Sequence, residues 1–302
     1  LEQALDLAVD IGAPAVEIAA GGQSSAPHMQ IDRLLADRRA LDEFRGAIEA
    51  RGLRIGALNC SSWVLHPVHD RRHEAIILST IELAARLGVP TIVTMSGCPG
   101  DGEASSTINW VWYPWPGDAV ELRDRQWAAA VERWRTIARR AEDAGITRLA
   151  FELHPLHLVY NVPTLLRMRE EVGPVIGANL DPSHLFWQQM DPLAVIRTLR
   201  EAVYHVHLKD TQPVPDQLAL AGVLDGRSFA RPEERAWNFR TVGVGHGVEF
   251  WAAFIEGLRE VGYTGVLSIE NEDAYQPAED GVRQAASFIN SILAERNAST
   301  SA

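Results

Sequence analysis

Strand-length apolar runs alternate with amphipathic helical stretches along the chain, and no glycine- or proline-rich linker divides it into halves. That alternation argues for parallel β/α units. The runs are Ala15 to Ala19, Arg54 to Asn59, Thr91 to Met95, Arg148 to Leu153, Val175 to Leu180, Val203 to Leu208 and Gly265 to Ile269. Helical patterns lie between them at Asp32 to Ala50, Arg72 to Leu87, Asp118 to Ala144, Pro163 to Glu171, Pro192 to Glu201 and Val248 to Val261, with a last one from Pro277 to Glu295. Three helices end in a glycine just before the next strand: Arg51-Gly52-Leu53, Leu87-Gly88-Val89 and Ala144-Gly145-Ile146. Glycine is the residue that most readily closes a helix in the left-handed conformation.

A closed barrel of such units needs eight strands, and seven are readable here. The chain opens at Leu1, inside the helical pattern Leu1-Glu2-Gln3-Ala4-Leu5-Asp6-Leu7-Ala8, so the first strand is expected upstream of residue 1. The expected fold class is α/β, a (β/α)8 TIM barrel with its first strand missing from this chain. One domain is expected over 1–302, with long post-strand loops at about 96–117 and 211–247 and a disordered tail at about 296–302.

Hydrophobic residues make up 46% of the chain and charged residues 23%, enough for a core. No stretch approaches the roughly 18 consecutive apolar residues of a membrane span. A formal charge of −12 opposes binding to a phosphate backbone, so nucleic acid is not expected as a partner and a small neutral substrate is. Cys60 and Cys98 lie far apart, without zinc-type spacing or a secretory leader beside them, which makes a cytoplasmic location the default.

Four runs end in groups that bind metals: Phe151-Glu152-Leu153-His154, Asn179-Leu180-Asp181-Pro182-Ser183-His184, His205-Val206-His207-Leu208-Lys209-Asp210 and Ser268-Ile269-Glu270-Asn271-Glu272. Alternate residues of a strand point the same way. Glu152 therefore shares a side with His154, His205 with His207 and Lys209, and Glu270 with Ser268 and Glu272. Three carboxylates converging at one end repel one another unless a divalent cation or protonation neutralises them. Oxygen ligands with one imidazole suit Mn²⁺ best, with Mg²⁺ or Co²⁺ as alternatives. Taken singly, each residue has a structural reading too: an arginine partner for Glu152, a turn cap for Asp181, a core histidine for His207.

Lys209 is the only lysine, against 27 arginines. A compact ammonium that can change its pKa suits a donor or titrating acid beside a site, whereas guanidinium stays charged and flat. A structural ion pair to Asp210 or to a metal-binding carboxylate competes with that reading.

Three long connections follow strands, where functional loops of β/α barrels gather. Cys60 to Asp70 holds Trp63 and His66, Ser96 to about Gly117 carries Trp110, Trp112 and Trp115, and Thr211 to Gly247 contains Trp237, Arg240 and His246. With Trp187, six of nine tryptophans fall just after strands, where flat apolar faces can pack on a sugar or close over it. For Trp110, Trp112 and Trp115, packing onto their own loop or a subunit neighbour, a second copy or a partner subunit, is the competing account.

From about Leu1 to Leu293 the chain resembles the xylose-isomerase-like barrel superfamily of sugar isomerases and epimerases, shared by inosose dehydratases, hydroxypyruvate isomerases and endonuclease IV. The resemblance rests on the four strand-end motifs. By the ketose 3-epimerase pattern it implies metal ligation by Glu152, Asp181, His207 and Glu270, and substrate contact by His184. The segment Phe239-Arg240-Thr241-Val242-Gly243-Val244-Gly245 resembles an Arg-containing turn before the last helix and strand, and Arg240 and Trp112 are taken as substrate contacts. Asn59, at its strand end, is a hydroxyl contact or a turn-stabilising asparagine. The Trp-rich insertion and the Lys209-Asp210 ending depart from the 3-epimerases.

A cation holding a ketose carbonyl and its neighbouring hydroxyl acidifies the adjacent C–H and stabilises the enediolate formed on proton removal. By resemblance, Glu152 and Glu270 are ligands and also the acid/base pair, with Lys209, His154 or His184 steadying the oxyanion or moving protons. The expected function is a divalent-metal-dependent isomerase or epimerase of a sugar or polyol-ketone. The runner-up is a lyase, of the inosose dehydratase or C-glycoside deglycosidase α-subunit kind, with His154 as base. Endonuclease IV-like repair and non-catalytic sugar binding follow.

Overall fold

In the computed structural model, the backbone is described for residues 1–300 and the side chains for residues 1–295. The tail expected at about 296–302 lies outside the fully described residues. Nine strands are present among the described residues: β1 (Ala15–Gly22), β2 (Arg54–Ser61), β3 (Thr91–Thr94), β4 (Arg148–Glu152), β5 (Ile176–Leu180), β6 (Val203–Leu208), β7 (Asp210–Pro213), β8 (Trp237–Arg240) and β9 (Leu267–Ile269). Seven form one sheet in the order β1-β2-β3-β4-β5-β6-β9, with helices between successive strands, the α/β arrangement of a TIM barrel. All seven runs read from sequence are these strands.

β7 and β8 form a separate antiparallel pair, Asp210 opposite Arg240 and Pro213 opposite Trp237, inside the segment expected to be a loop. The same segment also holds the short helix Pro215–Ala221. The helix expected over Asp32 to Ala50 is two helices, Ile31–Ala36 and Arg38–Glu49. Asp37 separates them because its carboxylate accepts the backbone N–H of Arg39 and Ala40, capping the second helix instead of continuing the first. Gly52, Gly88 and Gly145 hold φ of 71°, 72° and 81°, the left-handed closure that the three glycine endings require.

The chain divides into two compact units. The first comprises Leu1–Val9, Pro14–Asn179 and Ala202–His205, and the second Asp10–Ala13, Leu180–Glu201 and the chain from Val206 onward. In the first unit β1 to β5 are paired in parallel, with Leu58 opposite Ile92, Thr94 opposite Phe151 and Glu152 opposite Asn179. Small residues line its sheet: Ala57, Val93 and Ala150 are fully buried and Tyr204 packs on them. Gly177 makes room for that ring, since a Cβ there would stand 2.3 Å from Tyr204. Over the sheet, Trp134 lies 4.4 Å from Phe151 and gives its indole N–H to Ser96 O at 2.8 Å, so a large apolar surface is buried with its polar atom paired.

In the second unit β6 pairs with β9, His207 opposite Ser268 and Leu208 opposite Ile269. Buried Trp251, Phe254 and Leu258 on the helix Val248–Glu260 and Ile196 on the helix Pro192–Leu199 supply its core. Among the described residues no helix is long and apolar enough to cross a membrane.

Candidate metal centre

The second unit gathers charge where three strands end. Asp181 is the first residue after β5, His207 and Lys209 lie at the end of β6, and Glu270 and Glu272 follow β9. Parity decides which side chains meet. Lys209 Nζ stands 3.2 Å from Asp181 Oδ2, 2.9 Å from Glu270 Oε2 and 3.4 Å from Glu272 Oε2. His207, two residues back on the same face, places Nδ1 3.1 Å from Glu270 Oε2. His184 Nε2 lies 3.3 Å from Asp181 Oδ2. Beneath them is Phe239, its ring 4.8 Å from Lys209 Nζ and 5.4 Å from the His184 ring.

Asp181 has two roles. Its Oδ1 accepts the backbone N–H of Ser183 at 2.8 Å, starting the helix Pro182–Trp187, while its buried Oδ2 accepts no well-aligned hydrogen bond. The turn-capping account and the ligand account of Asp181 are thus compatible, because they use different oxygens. Three carboxylates face one ammonium. A buried carboxylate oxygen lacking a hydrogen bond and an oxygen-rich donor set with one imidazole fit a divalent cation.

Burial alone would raise the Glu270 carboxyl, but Lys209 and His207 outweigh it and hold the group well below the usual carboxylate range. For Glu272 the loss of water around the carboxyl wins, although half of the side chain is exposed: its carboxyl is pushed above the ordinary range despite Lys209, with Glu270 and Asp181 adding to the rise. Two carboxylates beside one ammonium are therefore driven in opposite directions. Glu272 was visible in sequence only as a residue sharing a side with Glu270.

The first unit places its own candidates at strand ends. Glu152 closes β4, is 3% exposed, and has Asn179 Nδ2 at 3.3 Å from its Oε2. His154 gives its backbone N–H to Glu152 O, its Nδ1 lies 2.5 Å from Pro155 O, and its ring is 5.6 Å from that of buried His157. Asn59 donates to Glu17 Oε1 at 2.8 Å, and the other oxygen of Glu17 meets His205 Nε2 at 2.7 Å. Sequence reading missed Glu17. The signal was available, a lone carboxylate inside the apolar run Ala15 to Ala19.

Trp112 is 45% exposed and packs on Tyr113 and on Trp110, which meets Tyr160 edge-on at 5.2 Å. The base of that loop is tied down by Gln126 Nε2, which donates to the carbonyls of Pro99, Gly100 and Asn109. In the second unit Arg240 bonds both oxygens of Asp273, donates to Gln212 and lies over the Tyr275 ring at 4.5 Å. Among the described residues, the side chains grouped closely enough to hold a metal ion are Glu17, Glu152, His154 and His205 of the first unit and His184, His207 and Glu270 of the second; Asp181, an expected ligand, is in none of these groups.

The fold has counterparts among known proteins. The model of the xylose isomerase-like TIM barrel family matches residues 5–292. The chain belongs to that family. It is 36% identical over 298 residues to YfiH of Bacillus subtilis strain 168, an uncharacterized protein, covering 97% of this chain and 95% of that one. Among solved structures it is similar to D-psicose 3-epimerase of Clostridium cellulolyticum H10, crystallised with D-tagatose, at 15% identity and TM-score 0.62 over 97% of this chain and 93% of that one. It is also similar to a xylose isomerase-like TIM barrel protein of Mycobacterium smegmatis in complex with magnesium, at 18% identity and TM-score 0.64 over 97% and 87%. At such identities these two likenesses establish the fold.

Proposed function

We propose that this family member is a divalent-metal-dependent isomerase or epimerase of a ketose-type sugar. The observation that carries the reading is the cluster of Asp181, His207, Lys209 and Glu270, with Asp181 Oδ2 buried and accepting no hydrogen bond. Glu152, Asp181, His207 and Glu270 would hold the ion, Mn²⁺ first and Mg²⁺ or Co²⁺ next. That the same fold serves an epimerase crystallised with D-tagatose and a protein in complex with magnesium supports the reading. When bound, the ion polarises a carbonyl and the hydroxyl beside it.

The chain's own groups do the rest. Glu270, kept ionised by Lys209 and His207, takes the proton from the carbon next to the carbonyl, and Glu152 serves the opposite face. Lys209 points its ammonium at the oxygen on which charge develops. His184 and His154 hold substrate hydroxyls or pass protons, and Asn59, Arg240 and Trp112 complete the sugar contacts. The substrate is a small carbohydrate of the cytoplasm.

In D₂O, with Mn²⁺ and a panel of ketoses, inososes and 3-keto-glycosides, we expect one substrate to gain deuterium at the carbon beside its carbonyl without losing any group, as read by NMR. Loss of water or of an aglycone would replace the isomerase reading with the lyase. No exchange on any member of the panel would count against both.

A further inference from the structure

The second unit contains a cavity of about 370 Å³ that the sugar chemistry does not use, walled by Phe186, Trp187, Leu218, Val223, Trp237 and His246. Two stacked pairs form its faces: Trp187 on Trp237, with centroids 4.8 Å apart and planes 4° from parallel, and Phe186 on His246, at 3.7 Å and 15°. Among its other polar groups, the Trp187 indole N–H is buried without an acceptor, and the rest are engaged or peripheral. Thr211 gives its hydroxyl to Ser183 O, Asp191 caps Leu193 N, and Gln189 is exposed.

His246 is different, because a buried carboxylate fixes which of its nitrogens faces a ligand. Asp210 Oδ2 accepts the backbone N–H of Gly243, Gly245 and His246 at 3.1, 3.0 and 2.9 Å, and Oδ1 accepts Thr211 N at 2.8 Å. A carboxylate taking four N–H donors is held as an acceptor. Its Oδ1 lies 2.7 Å from His246 Nδ1, so that nitrogen carries the proton and Nε2 is left as an acceptor on a side chain 29% accessible. Gly245 permits this closure, since a Cβ there would come within 2.3 Å of Thr211 O.

Flat apolar walls with one fixed acceptor select a narrow chemistry. A sugar ring would leave most of its hydroxyls without partners, and an aliphatic ligand would leave Nε2 desolvated and unpaired. We infer that the cavity binds an aromatic ring bearing a hydroxyl, a phenol, whose O–H donates to His246 Nε2. The volume exceeds what a single benzene ring needs. The phenol is therefore either a free ligand or the aglycone of a glycoside. The second source rests on the sugar reading above: the aromatic wall continues from Trp237 to Phe239 at 5.4 Å, and Phe239 underlies Lys209.

Saturation-transfer NMR and calorimetry on the whole chain, with 4-cresol, 4-methylanisole and arbutin as probes, test this. We expect 4-cresol to bind about tenfold more tightly than 4-methylanisole, the worth of one hydrogen bond. His246→Phe, which keeps a stacking ring, should erase that difference. Leu218→Trp, on a short and partly exposed helix, should fill the cavity and abolish both without changing the circular dichroism. Equal affinity of the wild type for 4-cresol and 4-methylanisole overturns the inference, and so does 4-cresol binding untouched by Leu218→Trp. Arbutin binding more tightly than 4-cresol identifies the glycoside source, and weaker binding identifies the free phenol. The 4-cresol comparison needs neither metal nor sugar turnover, so its failure is separable from failure of the isomerase reading.

Discussion

Glu270→Gln is expected to lower turnover of the sugar found by deuterium exchange about a thousandfold, the scale of a lost general base. The amide keeps the size of the side chain but can neither take a proton nor carry charge to an ion. Lys209 retains Asp181 and Glu272 as partners, so the folded chain should lose little stability. The exchange experiment separates chemistry from folding: deuterium incorporation should disappear while the thermal transition stays within a few degrees of wild type. Full turnover in this variant would remove Glu270 from the chemistry.

Lys209→Met is expected to cost about 2–3 kcal/mol of stability in metal-free buffer, below the range for breaking a fully buried pair because two of its partners reach solvent. The Glu270 and Glu272 side chains are 33% and 52% exposed, whereas Asp181 is 1% exposed. The cost falls mainly on Asp181, whose inner oxygen would lose the one permanent positive charge beside it. Divalent cation supplies a substitute charge, so adding Mn²⁺ should restore much of the loss while activity stays low. Denaturant melts with and without Mn²⁺ measure both effects. Unchanged stability in the variant would mean that the ammonium does not neutralise the cluster.

The strands were legible because each is a short apolar run, three of them preceded by a glycine-ended helix, and the cluster was legible because period-two alternation puts His207 and Lys209 on one face. The same alternation resolves the two structural partners considered for Lys209. Asp210 is its immediate neighbour and faces the other way, so the lysine reaches Asp181 and Glu270 instead. Asp210 anchors the turn at Gly243 to His246, more than thirty positions along the chain. No local pattern announces such a pairing. The strands β7 and β8 were hidden for a related reason: Asp210-Thr211-Gln212-Pro213 is polar and ends in proline, and its partner begins at Trp237 beyond a helix. Glu17 went unread because a lone carboxylate in an apolar strand looks the same whether it pairs with a histidine or with an arginine.

Titration of metal-free protein with Mn²⁺, followed by the loss of the free-ion electron paramagnetic resonance signal, tests the central claim most directly. One tightly held ion per chain is expected in the wild type. Binding should weaken by tenfold or more, roughly the least effect of disturbing a metal's ligand shell, in each of Glu152→Gln, Asp181→Asn, His207→Ala and Glu270→Gln. A wild type that leaves the signal unchanged, or a Glu152→Gln variant that binds as tightly as wild type while the other three do not, would contradict a single ion held by all four residues.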